Sequence, residues 1–146
     1  MGVLDVPSAS VSRDAETLPI RSGEDVVRVR QAVRSAAVRL GFSLVDQTKL
    51  VTAASELARN TIDYGRGGQC ELEVVHSGER VGVRLVFRDE GPGIPDVELA
   101  LHDGYTTGTG LGMGLGGARR LVDEFAIEST VGVGTTIAVT RWTWKR

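Results

Sequence analysis

The chain is poor in the residues that carry most covalent and metal chemistry. It has one cysteine, Cys70, so no internal disulfide forms and no thiolate cluster gathers a metal. Its two histidines, His76 and His102, stand far apart without ligand spacing, and each reads as a surface or strand-end residue. Lysine occurs only as Lys49 and Lys145. No apolar stretch approaches the roughly 18 residues that a membrane helix needs. The N-terminus has no basic start followed by an apolar run, and Val6 stands where a myristoylation signal has Ser or Thr. An excess of charge of one sign is lacking too. A formal net charge of −2 gives no electrostatic reason to expect nucleic acid as the main partner. The expectation is a protein of the reducing cytoplasm, with no nucleic acid and no membrane among its partners.

What is present suits a folded domain. The 146 residues are 41% hydrophobic and 25% charged, enough for one core and unlike a disordered chain. Residues 1–15 are rich in Ser, Ala and Val without periodicity and read as a flexible leader, which leaves 16–146 as a single domain. A short extended piece is expected over 16–21. Val26, Val29, Val33, Ala37 and Leu40 repeat at helical spacing over 23–40, and Gly41 supplies a stop. Arg28, Arg34 and Arg39 lie on the other face, either as solvated charges or as a dock for an acidic partner. A second helix over 45–64 buries Leu50, Ala53, Ala54, Leu57 and Ala58 and ends at Gly65. Strands over 71–76 and 81–88 flank the turn Ser77-Gly78-Glu79-Arg80; Val81, Val83, Leu85 and Phe87 alternate onto one face of a half-buried strand. A short helix over 96–102, another over 117–125 and a hairpin over 126–144 complete the chain. In that hairpin Trp142 and Trp144 share one strand face, as core or capping residues or as a docking patch. The order predicts an α/β (α+β) two-layer sandwich: a mixed, mainly antiparallel sheet with helices on one face.

Three polar features carry chemistry. On the second helix Lys49, Thr52, Glu56, Asn60 and Asp63 form one polar stripe, because residues four and seven apart lie close in angle. Alone, the stripe fits a solvated helix face as well as a site. As a site, the Asn60 carbonyl oxygen suits a hard cation such as Mg²⁺, and Glu56 one turn earlier accepts a proton from a hydroxyl or water. Next, Asp89-Glu90-Gly91-Pro92-Gly93 leaves a strand end and fits either a plain turn or a ligand contact. In the second reading the Asp89 carboxylate accepts from an amino group such as that of adenine, while Gly91 and Gly93 permit close approach. Third, Gly104, Gly108, Gly110, Gly112, Gly114, Gly116 and Gly117 crowd one stretch. Ordering so many glycines costs much entropy; the stretch is either a disordered linker or a lid whose N–H groups wrap phosphates, the physical use that repays that cost. Other phosphate schemes fail. Ala118-Arg119 follows the last glycine where a Walker A loop needs Lys and Ser or Thr, and the H-R-D and D-F-G triplets of ordinary protein kinases are absent.

In this order and spacing the three elements resemble the GHKL (Bergerat) ATP-binding fold of gyrase, Hsp90, histidine kinases and MutL. Glu56-Leu-Ala-Arg-Asn60 matches its N box, Asp89-x-Gly91-x-Gly93 its G1 box, and Gly110-Leu111-Gly112-Met113-Gly114-Leu115 its lid motif. Gly134-Thr135 resembles the strand turn that touches adenine. The resemblance implies ATP and Mg²⁺ as cofactors, Asp89 on the adenine amino group, Asn60 on Mg²⁺ and Glu56 as general base. It places Gly91, Gly93, Gly108, Gly110, Leu111, Gly112, Gly114, Leu115 and Thr135 around the nucleotide. The wording of Ser55-Glu-Leu-Ala-Arg-Asn60 and Asp89-Glu-Gly-Pro-Gly-Ile-Pro95, with Arg120-Leu-Val-Asp-Glu-Phe125, is similar to the stressosome switch serine/threonine kinases. That family implies phosphorylation of a STAS-domain partner and release to activate a PP2C-type phosphatase. Gly116 stands where a proline is expected in close relatives, a change expected to loosen the lid. Two alternatives share the same pocket: an anti-sigma factor kinase that also binds a sigma factor, and a non-catalytic switch gated by ATP.

Overall fold

The computed structural model describes residues 10–11, 15–102 and 114–145. Its centre is the alternating strand β4 (Arg80–Asp89), flanked by β3 (Gly68–Ser77) and β6 (Gly134–Trp144), with ten antiparallel residue pairs on each side. β5 (Glu124–Thr130) pairs with the outer side of β6. β2 (Glu16–Ile20) pairs with the outer side of β3, and so does β1 (Ser10–Val11), which lies within the stretch expected to be a flexible leader. All pairings are antiparallel, so the sheet is antiparallel throughout.

Two long helices cover one face. α1 (Gly23–Arg39) buries Val26, Val29, Val33 and Ala37 as its spacing predicts. It opens with Glu24 and Asp25 and ends with Arg39, charges that complement the helix dipole. Asp25 accepts from the Arg21 amide and from Arg28 at 2.8 Å each; the amide first, then the guanidinium, hold its carboxyl below its ordinary range. The helix stops in a Schellman turn. Gly41, at φ 83, donates to Val38, and buried Phe42 donates to Ala37. α2 (Leu44–Asp63) starts at Ser43, whose hydroxyl accepts from the Asp46 amide. Leu50, Ala53, Ala54, Leu57 and Ala58 of α2 meet Cys70, Leu72, Val83, Leu85, Phe87, Ile137 and Val139 of the sheet, and this is the core. A fully buried leucine there contributes about 2–3 kcal/mol by transfer alone.

The opposite sheet face is not simply solvated. Val86 is buried on it beside the Arg84–Glu73 pair, and Trp142 lies over Gly82 with the Arg80 guanidinium 4.5 Å from its ring. β4 is therefore covered on both faces, where half-burial was expected. Trp142 is the covered one of the two tryptophans, and Trp144 is 70% exposed.

Two helices differ from expectation. α3 is confined to Val97–Ala100, capped by Asp96, which accepts from Leu99. α4 (Gly114–Arg120) begins earlier and ends earlier than the predicted 117–125. The reason is tertiary. Asp123 donates its amide to Thr140 and accepts the Trp142 amide on its carboxylate, which hands Glu124 and Phe125 to β5. A seven-residue ladder outweighs the modest helix propensity of Asp, Phe and Val.

Candidate functional site

The polar stripe of α2 ends where β4 ends. Glu56 is 9% exposed although charged, and Arg59 Nη1 stands 3.6 Å from its Oε2. Asn60, one turn on, is half-buried. Its main-chain carbonyl caps the helix by accepting from Tyr64 and Gly65. Its side chain is a neutral amide, whose oxygen is an acceptor of the kind a hard cation takes. Among the described residues no group of three or more His, Cys, Asp and Glu is gathered for a metal. The donor chemistry thus suits a hard cation held by one amide oxygen together with waters and ligand phosphates.

Asp89 is the last residue of the central strand, between Gly68 of β3 and Thr135 of β6. Its Oδ1 accepts the Gly91 amide at 2.9 Å, a local turn that fixes the carboxylate. Gly65, just past the α2 cap, packs against this carboxylate. A Cβ added there would lie 2.5 Å from Asp89 Oδ2 and 2.6 Å from its Cβ. A Cβ on Gly91 would lie 2.7 Å from Gly65 Cα, and one on Gly93 (φ 81) would lie 2.5 Å from the Thr130 oxygen. Gly134 is equally closed, against the Asp89 carbonyl oxygen. The end of α2, the Asp89 turn and the β5–β6 hairpin therefore meet with main chain against main chain.

A serine joins the last two. Ser129 Oγ accepts the Ile94 amide at 2.7 Å and lies 2.8 Å from Thr135 Oγ1. Thr135, a predicted site residue, is 7% exposed and held in place by this contact. The structure thus brings Glu56, Asn60, Asp89, Gly91, Gly93 and Thr135 to one end of the sheet. Gly114 (φ 71) opens α4 and Leu115 is buried in the core beside it. Gly108, Gly110, Leu111 and Gly112 lie outside the described residues. Gly116 packs on the Leu101 carbonyl oxygen so closely that an added Cβ would overlap it. Any larger residue, proline included, requires the two segments to separate, which gives Gly116 a packing role; the lid it was expected to loosen lies outside the described residues.

Sequence reasoning missed Gly65, there read only as a helix stop, and Ser129. A signal for the first existed in the run Gly65-x-Gly67-Gly68, too rich in glycine for a simple stop. For the second, the signal was a hydroxyl on the covered side of an otherwise apolar strand.

The sequence pattern of the histidine kinase-, DNA gyrase B- and HSP90-like ATPases matches residues 45–143. The chain is 43% identical over 129 residues to the serine/threonine-protein kinase RsbT of Bacillus subtilis, covering 88% of this chain and 97% of that one. It is 30% identical over 119 residues to the anti-sigma F factor of a Thermoanaerobacter species (strain X514), covering 77% of this chain and 82% of the other. The anti-sigma F factor of B. subtilis is 34% identical over 117 residues, with 77% and 80% covered. Among solved structures, the RsbU and RsbW domains of a Mycobacterium tuberculosis protein superpose with a TM-score of 0.57 at 20% identity, over 90% of this chain and 33% of that one. The mycobacterial sensor histidine kinase MprB gives 0.54 at 19% identity, over 90% and 99%. At those identities the likeness is one of fold.

Proposed function

The chain belongs to the histidine kinase-, DNA gyrase B- and HSP90-like ATPases, and from that premise we propose that it is an ATP-dependent protein serine/threonine kinase of a partner-switching pathway. Its substrate in this reading is a Ser or Thr of a STAS-domain protein, and its release activates a downstream PP2C-type phosphatase. One observation carries the reading: a buried carboxylate, Glu56, sits one helical turn before Asn60 on the helix whose end packs on Asp89. A protein that only bound nucleotide would have little use for a carboxylate held there.

The chemistry asks for positioning and charge neutralisation more than for covalent catalysis. Asp89 accepts the adenine amino hydrogen bond, and Gly65 and Gly91, packed on that carboxylate and on each other, hold it in place. Asn60 is the residue that would hold Mg²⁺ through its amide oxygen. Bound there, it would supply charge neutralisation for the phosphate oxygens. Glu56 takes the proton of the acceptor hydroxyl as that oxygen bonds to the γ-phosphorus and the bond to the β-phosphate oxygen breaks, releasing ADP. A carboxylate positioned as base contributes about 10²–10⁴ in rate.

Relatives named anti-sigma F factor, at 30% and 34% identity, support a second reading in which the chain also binds a sigma factor. The greater likeness to a named kinase, 43% over more of the chain, favours the first.

The test mixes the protein, γ-labelled ATP and Mg²⁺ with candidate STAS domains, with Glu56→Ala in parallel. Label on a Ser or Thr with wild type, lost in the variant while ATP still binds, supports the kinase. Equal labelling by the variant removes Glu56 from the mechanism. ATP binding with no transfer to any STAS domain leaves a binding switch.

A further inference from the structure

The two edges of the sheet are finished differently. On one side β3 is covered by β2 along Gly68–Leu72 and by β1 at Val75 and His76, and β2 itself contains Pro19, which deletes an edge amide. On the other side lies β5. Among the described residues nothing pairs with its outer edge. Its seven residues run in unbroken register with β6, from Glu124 opposite Thr140 to Thr130 opposite Gly134. No proline or bulge interrupts them, and the charges that guard this edge are two glutamates, which repel an acidic strand and admit a basic one.

The faces of β5 are sorted. Phe125, Ile127 and Ser129 share the helix side with Val139, Ile137 and Thr135, while Glu124, Ala126 and Glu128 share the other. Just beyond the strand, Val131 and Val133 are 64% and 66% exposed. Residues 121–140 contain Asp123, Glu124 and Glu128 and no lysine or arginine. Asp123 accepts the main-chain amide of Trp142 and Glu124 its indole N–H. Both donors are neutral, so the negative charges stand. The next cation along, Arg141, is spent on Asp46 and the Leu121 carbonyl.

We propose that β5 is a docking edge, onto which an extended basic segment of a partner protein adds as a further strand. Backbone N–H and C=O groups supply the pairing, as in other strand-addition interfaces. Side chains set the chemistry. Alternate residues of the incoming strand are Lys or Arg, facing Glu124 and Glu128, and the residues between them are aliphatic, facing Phe125 and Ile127. A second copy of this chain is a poor occupant, because pairing β5 with β5 brings four glutamates and no cation to one short ladder. The site is separate from the phosphoryl-transfer reading and does not depend on it.

The test uses an eight-residue peptide of alternating Lys and Val, blocked at both ends, titrated into ¹⁵N-labelled full-length protein at low salt. The expected result is shifts and slowed amide exchange concentrated at Glu124–Thr130, with loss of binding as salt rises. A Glu/Val peptide of equal length, and a Lys/Val peptide with a central proline, are expected not to bind. Glu128→Lys, which replaces one attractive cross-strand pair by a repulsive one, weakens binding about tenfold with an unchanged melting temperature; Glu128→Gln loses about half of that in logarithmic terms. Shifts spread over the acidic stretch 89–98, affinity indifferent to Glu128→Lys, or no shift on β5 at millimolar peptide would each overturn the proposal.

Discussion

Gly65→Ala isolates the contact on which the proposed adenine end of the site depends. The substitution adds one methyl group, in place of hydrogen, 2.5 Å from Asp89 Oδ2 and 2.6 Å from Asp89 Cβ, where ordinary contact begins at 3.4 Å. Something must move by about 1 Å. The main chain at Gly65 is pinned by its bond to the Asn60 carbonyl, and Gly91 presses on its other side, so Asp89 is the group that gives way. A hydrogen bond to a charged group is worth about 1.5–3 kcal/mol, and a displacement of 1 Å suffices to lose it. ATP affinity is therefore expected to fall about 10- to 150-fold. Calorimetric titration with ATP measures it.

Two controls sharpen the result. Gly23→Ala adds a methyl where nothing lies within 4 Å and is expected to leave affinity alone. The double variant Gly65→Ala/Asp89→Asn is expected to bind no more weakly than Asp89→Asn alone, because both changes remove one interaction. ATP binding by Gly65→Ala within threefold of wild type, in a protein that melts normally, would refute the placement of adenine on Asp89.

Three further outcomes follow from the packing. Burial pushes the Cys70 thiol up, with the nearby Glu71 and Glu16 charges acting in the same direction, so the native protein is expected to react with no thiol reagent at pH 8, and the denatured chain with one equivalent. Asp46 accepts a 2.6 Å bond from Arg141, and that guanidinium holds its carboxyl below the ordinary value. A depressed carboxylate stabilises above its unfolded pKa and loses that contribution as pH falls through the folded one. The melting-temperature deficit of Asp46→Asn is therefore expected to be full at pH 7 and to shrink steadily below about pH 4; a deficit constant down to pH 2 would refute it. Leu57→Ala, at a fully buried core position, is expected to cost about 2–5 kcal/mol in denaturant titration without altering the site's residues.

Elements with a strong local period were legible without coordinates. The α2 stripe, the β3–β4 hairpin and the end of α1 at Gly41 all lie within a residue or a few of where spacing puts them. The failure at 117–125 is instructive. Ala118, Leu121 and Val122 fit a helical face, yet the chain from Asp123 onward is bonded to β6, a partner that helical spacing could not reveal. Local pattern decides only where no distant strand competes for the same residues.

The site was legible in a different way. Glu56, Asn60 and Asp89 stood out because charged and amide groups at fixed spacing are chemically conspicuous. What aligns them is inconspicuous: at Gly91, Gly93 and Gly134 a Cβ is missing so that two main chains can meet, and at Gly65 so that main chain can meet the Asp89 carboxylate. A missing atom leaves no period and no charge in a sequence, and its use appears only when the partner segment is in place. Gly116 makes the same point, since its absent side chain reads as looseness along the chain and as close packing on Leu101 in space. The polar residues name the chemistry, and the glycines fix its geometry. Substitutions at the glycines are therefore expected to disturb nucleotide binding as deeply as substitutions at the carboxylates, while leaving every charged group in the site unchanged.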